Sequence, residues 1–197
     1  MIPSRAASGV RASVSETAAR NATTGRRRAY RMAGLVLLVV LYLGDQLSKL
    51  AVVTHMVEGQ AIPVVDGLLW WRFIRNPGAA FSMGESVTWV FTIIMAVVAV
   101  IVLYYLPRAG TRGWILALFG LLSGVLGNLT DRLFREPGFG RGHVVDFVSV
   151  PHYAIFNVAD ACICVSIAVI AILVLRGIPL EGRQGDTADV ETEGGAS

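Results

Sequence analysis

Charge is what this sequence has least of: only 16% of its 197 residues are charged, against 54% hydrophobic. With a mean hydropathy of +0.62, that balance excludes an ordinary soluble domain, in which about 25% of residues are charged. It points instead to one compact membrane domain. Cysteine is nearly absent. Cys162 and Cys164 lie two apart inside an apolar run, a spacing that fits no metal or redox motif and opens onto different helical faces. Both read as small buried hydrophobes. The three histidines, His55, His143 and His152, lack His, Cys or Glu partners at metal-ligand spacing, so no metal and no cofactor is expected. Nor is a Ser–Lys or Ser–His arrangement evident, because Ser48 beside Lys49 would not face it on a helix. The net charge of +3 comes from arginines beside apolar runs and does not suggest nucleic acid.

What the chain does have is four apolar runs. Residues 33–53, 87–106, 114–129 and 154–175 are each long enough, or nearly so, to cross a hydrocarbon core of ~30 Å at ~1.5 Å per residue. The expected fold is therefore an all-α membrane protein of four transmembrane helices. Between the first two runs, Ile62-Pro63-Val64-Val65, Asp66-Gly67 and residues 68–74 read as a small extracytoplasmic β-hairpin, since Asp-Gly between apolar runs is a strong turn signal. Trp70, Trp71 and Phe73 stand where an interfacial aromatic belt is expected.

The ends are polar. Residues 1–32 carry seven arginines and one acid, Glu16, and read as a disordered basic tail. Residues 33–176 form the membrane domain, and residues 177–197 a second disordered tail. Arginine next to a span marks the cytoplasmic side. Seven arginines in the first tail, with Arg108, Arg112, Arg176 and Arg183, place both termini in the cytoplasm and two loops outside.

Against this apolar background, ionisable residues are conspicuous. A carboxylate at membrane depth costs ~2.5–3.5 kcal/mol on insertion scales and is a functional candidate by default. Asp45 and Lys49, four apart on one helical face, can neutralise each other. Asn128, Asp131 and Arg132 close the third run, and Arg132 could neutralise Asp131 or hold a carbonyl. Asp146 lies in the second outer loop, re-entering through Val144-Val145 and Phe147. Asp160 lies about two turns into the fourth run, with Asn157 three residues before it. Both aspartates approach the outer surface, where two carboxylates in contact share a proton and so supply an acid and a base. A small proton- or ion-coupled transporter, with Asp45, Lys49 and Asp160 as relay, is the rival reading, and a non-catalytic assembly protein is a further one. Against the relay, the charges gather toward one side of the bilayer.

Five motifs in order resemble those of the lipoprotein signal peptidase (type II signal peptidase) family. They are Asp45-x-x-x-Lys49, Asn76-x-Gly78-Ala79-Ala80-Phe81, Gly127-Asn128-x-x-Asp131-Arg132, Val145-Asp146-Phe147 and Phe156-Asn157-x-Ala159-Asp160. The resemblance covers roughly residues 35–176 and implies an intramembrane aspartic endopeptidase of the bacterial cell membrane. It implies Asp146 and Asp160 as catalytic dyad, and Asn76, Asn128, Arg132 and Asn157 as the residues shaping the peptide and lipid site. Asp45, Lys49 and Asp131 are then supporting groups. The implied substrates are prolipoproteins, cut before a diacylglyceryl-modified cysteine, with membrane lipid around a monomeric enzyme and the site toward the outer face. The segment Glu136-Pro137-Gly138-Phe139-Gly140-Arg141 is longer than the pattern needs, which affects only the loop's shape.

Overall fold

A computed structural model describes residues 5–78 and 88–181, with side chains from Thr24 onward. The chain runs α1 (Arg5–His55), β1 (Ala61–Val65), β2 (Leu69–Asn76), α2 (Thr88–Tyr105), α3 (Arg112–Phe134), β3 (Val144–Ser149) and α4 (Val158–Leu175). Four helical stretches are long and apolar enough to cross a membrane: Thr24–His55, Thr88–Arg108, Arg112–Phe134 and Val158–Leu175. The expected four helices and the hairpin between the first two are both present.

The helices are not equivalent. In α3, 67% of the apolar window is buried, against 11–17% in the other three, so α3 is the post around which α1, α2 and α4 stand. Its Ile115, Leu118, Leu122 and Val125 form the core with Ala99 and Val102 of α2. The opposite face of α3 is built from glycines. A Cβ on Gly124 would lie 2.4 Å from the Ala159 carbonyl oxygen, and one on Gly120 would lie 2.6 Å from Ser166 Oγ. Without side chains there, α4 closes directly onto α3, the small-residue packing that lipid-embedded helices use. Gly127 does more than pack, because its missing Cβ makes room 2.6 Å from Asp45 Oδ2.

At one end of the bundle lies a sheet of order β1-β2-β3. Gly67, at φ 72°, turns the hairpin where the Asp-Gly signal placed it. The third strand is an addition to the expected hairpin: β3 pairs antiparallel with β2, matching Ile74 to Asp146 and Asn76 to Val144. Its partner lies some seventy residues upstream, so no local turn announced it, and six residues with one charge read equally well as a re-entrant loop. Phe73, expected in an interfacial belt, is buried at 3% exposure in a second core with Val52, Val145 and Phe147.

Other boundaries differ as well. The backbone of α1 is helical from Arg5, ahead of the start read from hydropathy, because Ala- and Arg-rich chain without proline sustains a helix. Arg27 and Arg31 of the segment read as tail donate to the carbonyls of Glu181 and Pro107. Residues 177–181 are also held, by Gly110 N–H to Leu180 and Trp114 Nε1 to Ile178. Cys164 is exposed on α4 rather than buried, and Cys162 is half-buried. The expectations for residues 1–4, for Ala79-Ala80-Phe81 and for residues 182–197 lie outside the described residues.

Gly124→Ala should lower the melting temperature of the detergent-purified protein, by the ~1–3 kcal/mol typical of overpacking, since backbone must give way. Gly44→Ala, with nothing within 4 Å of the new Cβ, should be neutral or stabilising by about 0.5–1 kcal/mol. Equal melting temperatures for the two variants would show that α3–α4 contact does not set stability.

Candidate active site

The site begins with the chain's single lysine. Lys49 is fully buried and its Nζ lies 2.8 Å from Asp45 Oδ2, 2.9 Å from Asp131 Oδ2 and 2.8 Å from Asn128 Oδ1. A buried ammonium has three donors to satisfy, and here each has an acceptor from α1 or α3. The i,i+4 pairing of Asp45 with Lys49 is as the spacing led one to expect. Asp45 then reaches a third helix. Its Oδ1 accepts the N–H of Ala159 at 2.9 Å, satisfying one orphan donor at the start of α4, where the positive end of the helix dipole favours an anion. Gln46 steadies it, donating 3.0 Å bonds to Asp45 Oδ2 and to the Gly127 carbonyl.

Asp131 takes a different partner from the one expected. Its cations are Lys49 and Arg135, the latter at 2.5 Å one helical turn on, and it also accepts the Val145 N–H at 3.2 Å. Arg132 faces away. Its Nη1 donates to the carbonyls of Asn76, at 3.1 Å, and Gly142, at 3.0 Å, binding the ends of β2 and of the loop before β3. The reason is helical geometry: adjacent residues point about 100° apart, whereas Asp131 and Arg135 share a face. That spacing was legible in the sequence and was missed. Gly142 was missed too; a Cβ there would lie 2.2 Å from the Asp131 carbonyl oxygen, so only glycine lets the loop close over the end of α3.

The remaining residues form a chain of amides between two carboxylates. Asn157 is the N-cap of α4 in a full capping box: its Oδ1 accepts from the Asp160 N–H at 3.0 Å, and its own N–H donates to Asp160 Oδ2 at 3.1 Å. Asp160 is therefore in the first turn, not two turns in, because asparagine starts the helix at Val158. The Asn157 Nδ2 donates to Asp146 Oδ1 at 2.6 Å and to Asn128 Oδ1 at 3.2 Å. Asn128 Nδ2 donates to Asp160 Oδ1 at 2.7 Å, and Asn76 Nδ2 to Asp146 Oδ2 at 2.7 Å. Asn157 thus holds both aspartates at once.

All nine residues singled out by sequence, Asn76, Asp45, Lys49, Asn128, Asp131, Arg132, Asp146, Asn157 and Asp160, are joined in this one network. The cations go elsewhere in it. Among the described residues no ion pair reaches Asp146 or Asp160. Burial pushes the Asp146 carboxyl up to about 7, and the neighbouring Asp160 adds to the rise, against the hydrogen bonds of Asn76 and Asn157. A carboxyl titrating near neutrality beside a second carboxyl can carry protons in both directions.

Two outcomes follow for stability. Lys49→Met leaves Asp45 and Asp131 buried without their shared cation and should cost about 3–5 kcal/mol, read as a large fall in melting temperature. Adding Asp45→Asn and Asp131→Asn should recover part of it, and no recovery would mean that charge burial is not the cause. For pH, the folded chain keeps a proton on Asp146 until about 7, whereas the unfolded chain releases it near the ordinary value. The folded state binds more protons in that window, so stability should fall as pH rises from about 4 to about 7 and then level. Asp146→Asn should flatten this part of the melting-temperature profile, and an unchanged slope would assign the dependence to another group.

The family model described as signal peptidase (SPase) II matches residues 37–176. Lipoprotein signal peptidase of Leifsonia xyli subsp. xyli is 46% identical over 189 residues, covering 93% of this chain and 87% of that protein. The protein of the same name from Streptomyces griseus subsp. griseus is 42% identical over 170 residues, 86% of each. A bacterial membrane enzyme solved by the in meso method superposes with TM-score 0.65 at 25% identity, over 78% of this chain and 93% of that one. The match runs from α1 to the end of α4 and contains every element that carries a site residue. The chain therefore belongs to the signal peptidase II family.

Proposed function

We propose that this chain is an intramembrane aspartic endopeptidase that removes signal peptides from prolipoproteins, cutting before a diacylglyceryl-modified cysteine. The observation that carries this reading is the pairing of two carboxylates, on β3 and α4, through one asparagine, whose side-chain amide donates to Asp146 and whose backbone N–H donates to Asp160, while every nearby cation among the described residues is engaged elsewhere. Four carboxylates, Asp45, Asp131, Asp146 and Asp160, meet three cations, Lys49, Arg132 and Arg135. One proton shared between Asp146 and Asp160 makes the cluster neutral, which is the state a low-dielectric site favours. The unprotonated member takes a proton from water, whose oxygen bonds to the scissile carbonyl carbon, and the protonated member donates to the carbonyl oxygen. When the C–N bond breaks, the proton taken from water goes to the leaving amine, and the shared proton returns to the pair.

The other residues divide the remaining work. Asn157 and Asn128 fix the two carboxylates, and Asn76 fixes Asp146 while its own carbonyl is held by Arg132. Asp45, Lys49 and Asp131 tie α1, α3 and α4 together beneath them. The site is complete within one chain, consistent with a monomer surrounded by membrane lipid. Asp146→Asn and Asp160→Asn should each lower turnover of lipidated prolipoprotein by about 10²–10⁴-fold or more. The double variant should be little worse than either single one, because the pair acts as a unit. A well-folded Asp146→Asn protein that still cleaves would refute the aspartyl mechanism.

The same reading sets orientation. The sheet, the end of α1 and the start of α4 lie together with the carboxylates, and the arginine-rich ends lie at the opposite end of the bundle, the arrangement of cytoplasmic termini with an outward-facing site. Reporter fusions after Gly59 and Gly138 should report the outer side and one after Gly110 the cytoplasm. The reverse pattern would overturn the placement.

A further inference from the structure

On the side of α4 away from Asp160, an apolar groove of about 500 Å³ runs between α1 and α4, walled by Leu37 and Leu41 of α1 and Ala161 and Val165 of α4, with Ala117 and Gly120 of α3 as its floor. It faces the bilayer, and something apolar must lie in it. At the end remote from the carboxylates stand arginines. Arg112 precedes the lining residue Leu116 by four positions, on one face of α3, and Arg176 follows the lining residue Val169 by seven, on the same stripe of α4. Arg26 precedes Leu37 by eleven, three turns along the same stripe of α1. All three are exposed, and none has a partner among the described residues.

We infer that this groove binds a single anionic glycerophospholipid of the leaflet opposite the carboxylates, with one acyl chain in the groove and its phosphate among Arg112, Arg176 and Arg26. Volume and charge choose this occupant. A membrane-spanning helix is about 10 Å across and ~30 Å long, several times the volume available. Charge argues against a helix as well: the basic flank of a signal peptide, or the arginines of a second copy, would meet like charge at the mouth. A phospholipid brings the complementary charge, and basic residues at a membrane surface attract anionic lipid by amounts that add. The inference needs only that α1, α3 and α4 span a membrane, and it is read without substrate, so it stands or falls apart from the peptidase reading.

The test is native mass spectrometry of the detergent-purified protein offered equal phosphatidylglycerol and phosphatidylcholine. The wild type should retain one phosphatidylglycerol per chain in clear preference to phosphatidylcholine. Arg112→Gln with Arg176→Gln should reduce that preference roughly tenfold or more. Ala161→Trp, which fills the groove from an exposed position, should lower retention of both lipids. Val165→Trp, at 64% exposure, is a second filling variant, and an unchanged melting temperature reports that each variant is folded. Equal retention of the two lipids by the wild type would overturn the inference. So would a phosphatidylglycerol preference that survives both the arginine and the groove-filling substitutions.

Discussion

One buried ammonium holds the structure together. Lys49 is fully buried, and an unpaired charge at that depth would cost several kcal/mol. It is therefore tolerable only where Asp45, Asp131 and Asn128 converge on it. Their convergence fixes the rotation of α1 against α3. Asp45 then reaches across to the first turn of α4 and Asp131 to the backbone of β3. The two elements that bring the proposed dyad are thus both tethered to acids whose own positions depend on the lysine.

This coupling explains why glycine recurs where it does. An ion cluster can bridge three helices only if their backbones approach closely, and Gly124 and Gly127 permit that approach on α3. Burial of polar groups and absence of side chains are therefore two sides of one arrangement. Gly127 belongs to both, since it lets the helices approach and makes room for the Asp45 carboxylate.

Much of this was legible beforehand, and the exceptions have physical causes. Four apolar runs and an Asp-Gly turn are local signals, so the spans and the hairpin could be read directly. The residues of the network were legible because polar groups in apolar runs are costly and so stand out. What could not be read was pairing at a distance: β3 as a partner of β2, and Gly142 as the point where a loop passes over α3. Of the two roles open to Arg132, holding carbonyls is the one it has; pairing with Asp131 fails because a helix separates neighbours and brings together residues four apart. Asp160 was placed too deep because hydropathy cannot see a cap, and Asn157 starts the helix later than the apolar run does.

The N-terminal position of Asp160 in α4 has a consequence for biogenesis. Asp146, Asn157 and Asp160 all follow α1, α2 and α3 in the chain, so a nascent protein with three helices inserted holds the lysine cluster but neither carboxylate of the dyad. Asp45, meanwhile, waits with an unfilled acceptor that only the Ala159 N–H completes. Arrival of the fourth helix therefore satisfies the last partner of the scaffold and, in the same event, brings Asp160 to the Asp146 that β3 already carries. On the proposed mechanism, a chain without its fourth helix lacks Asp160 and with it the pair.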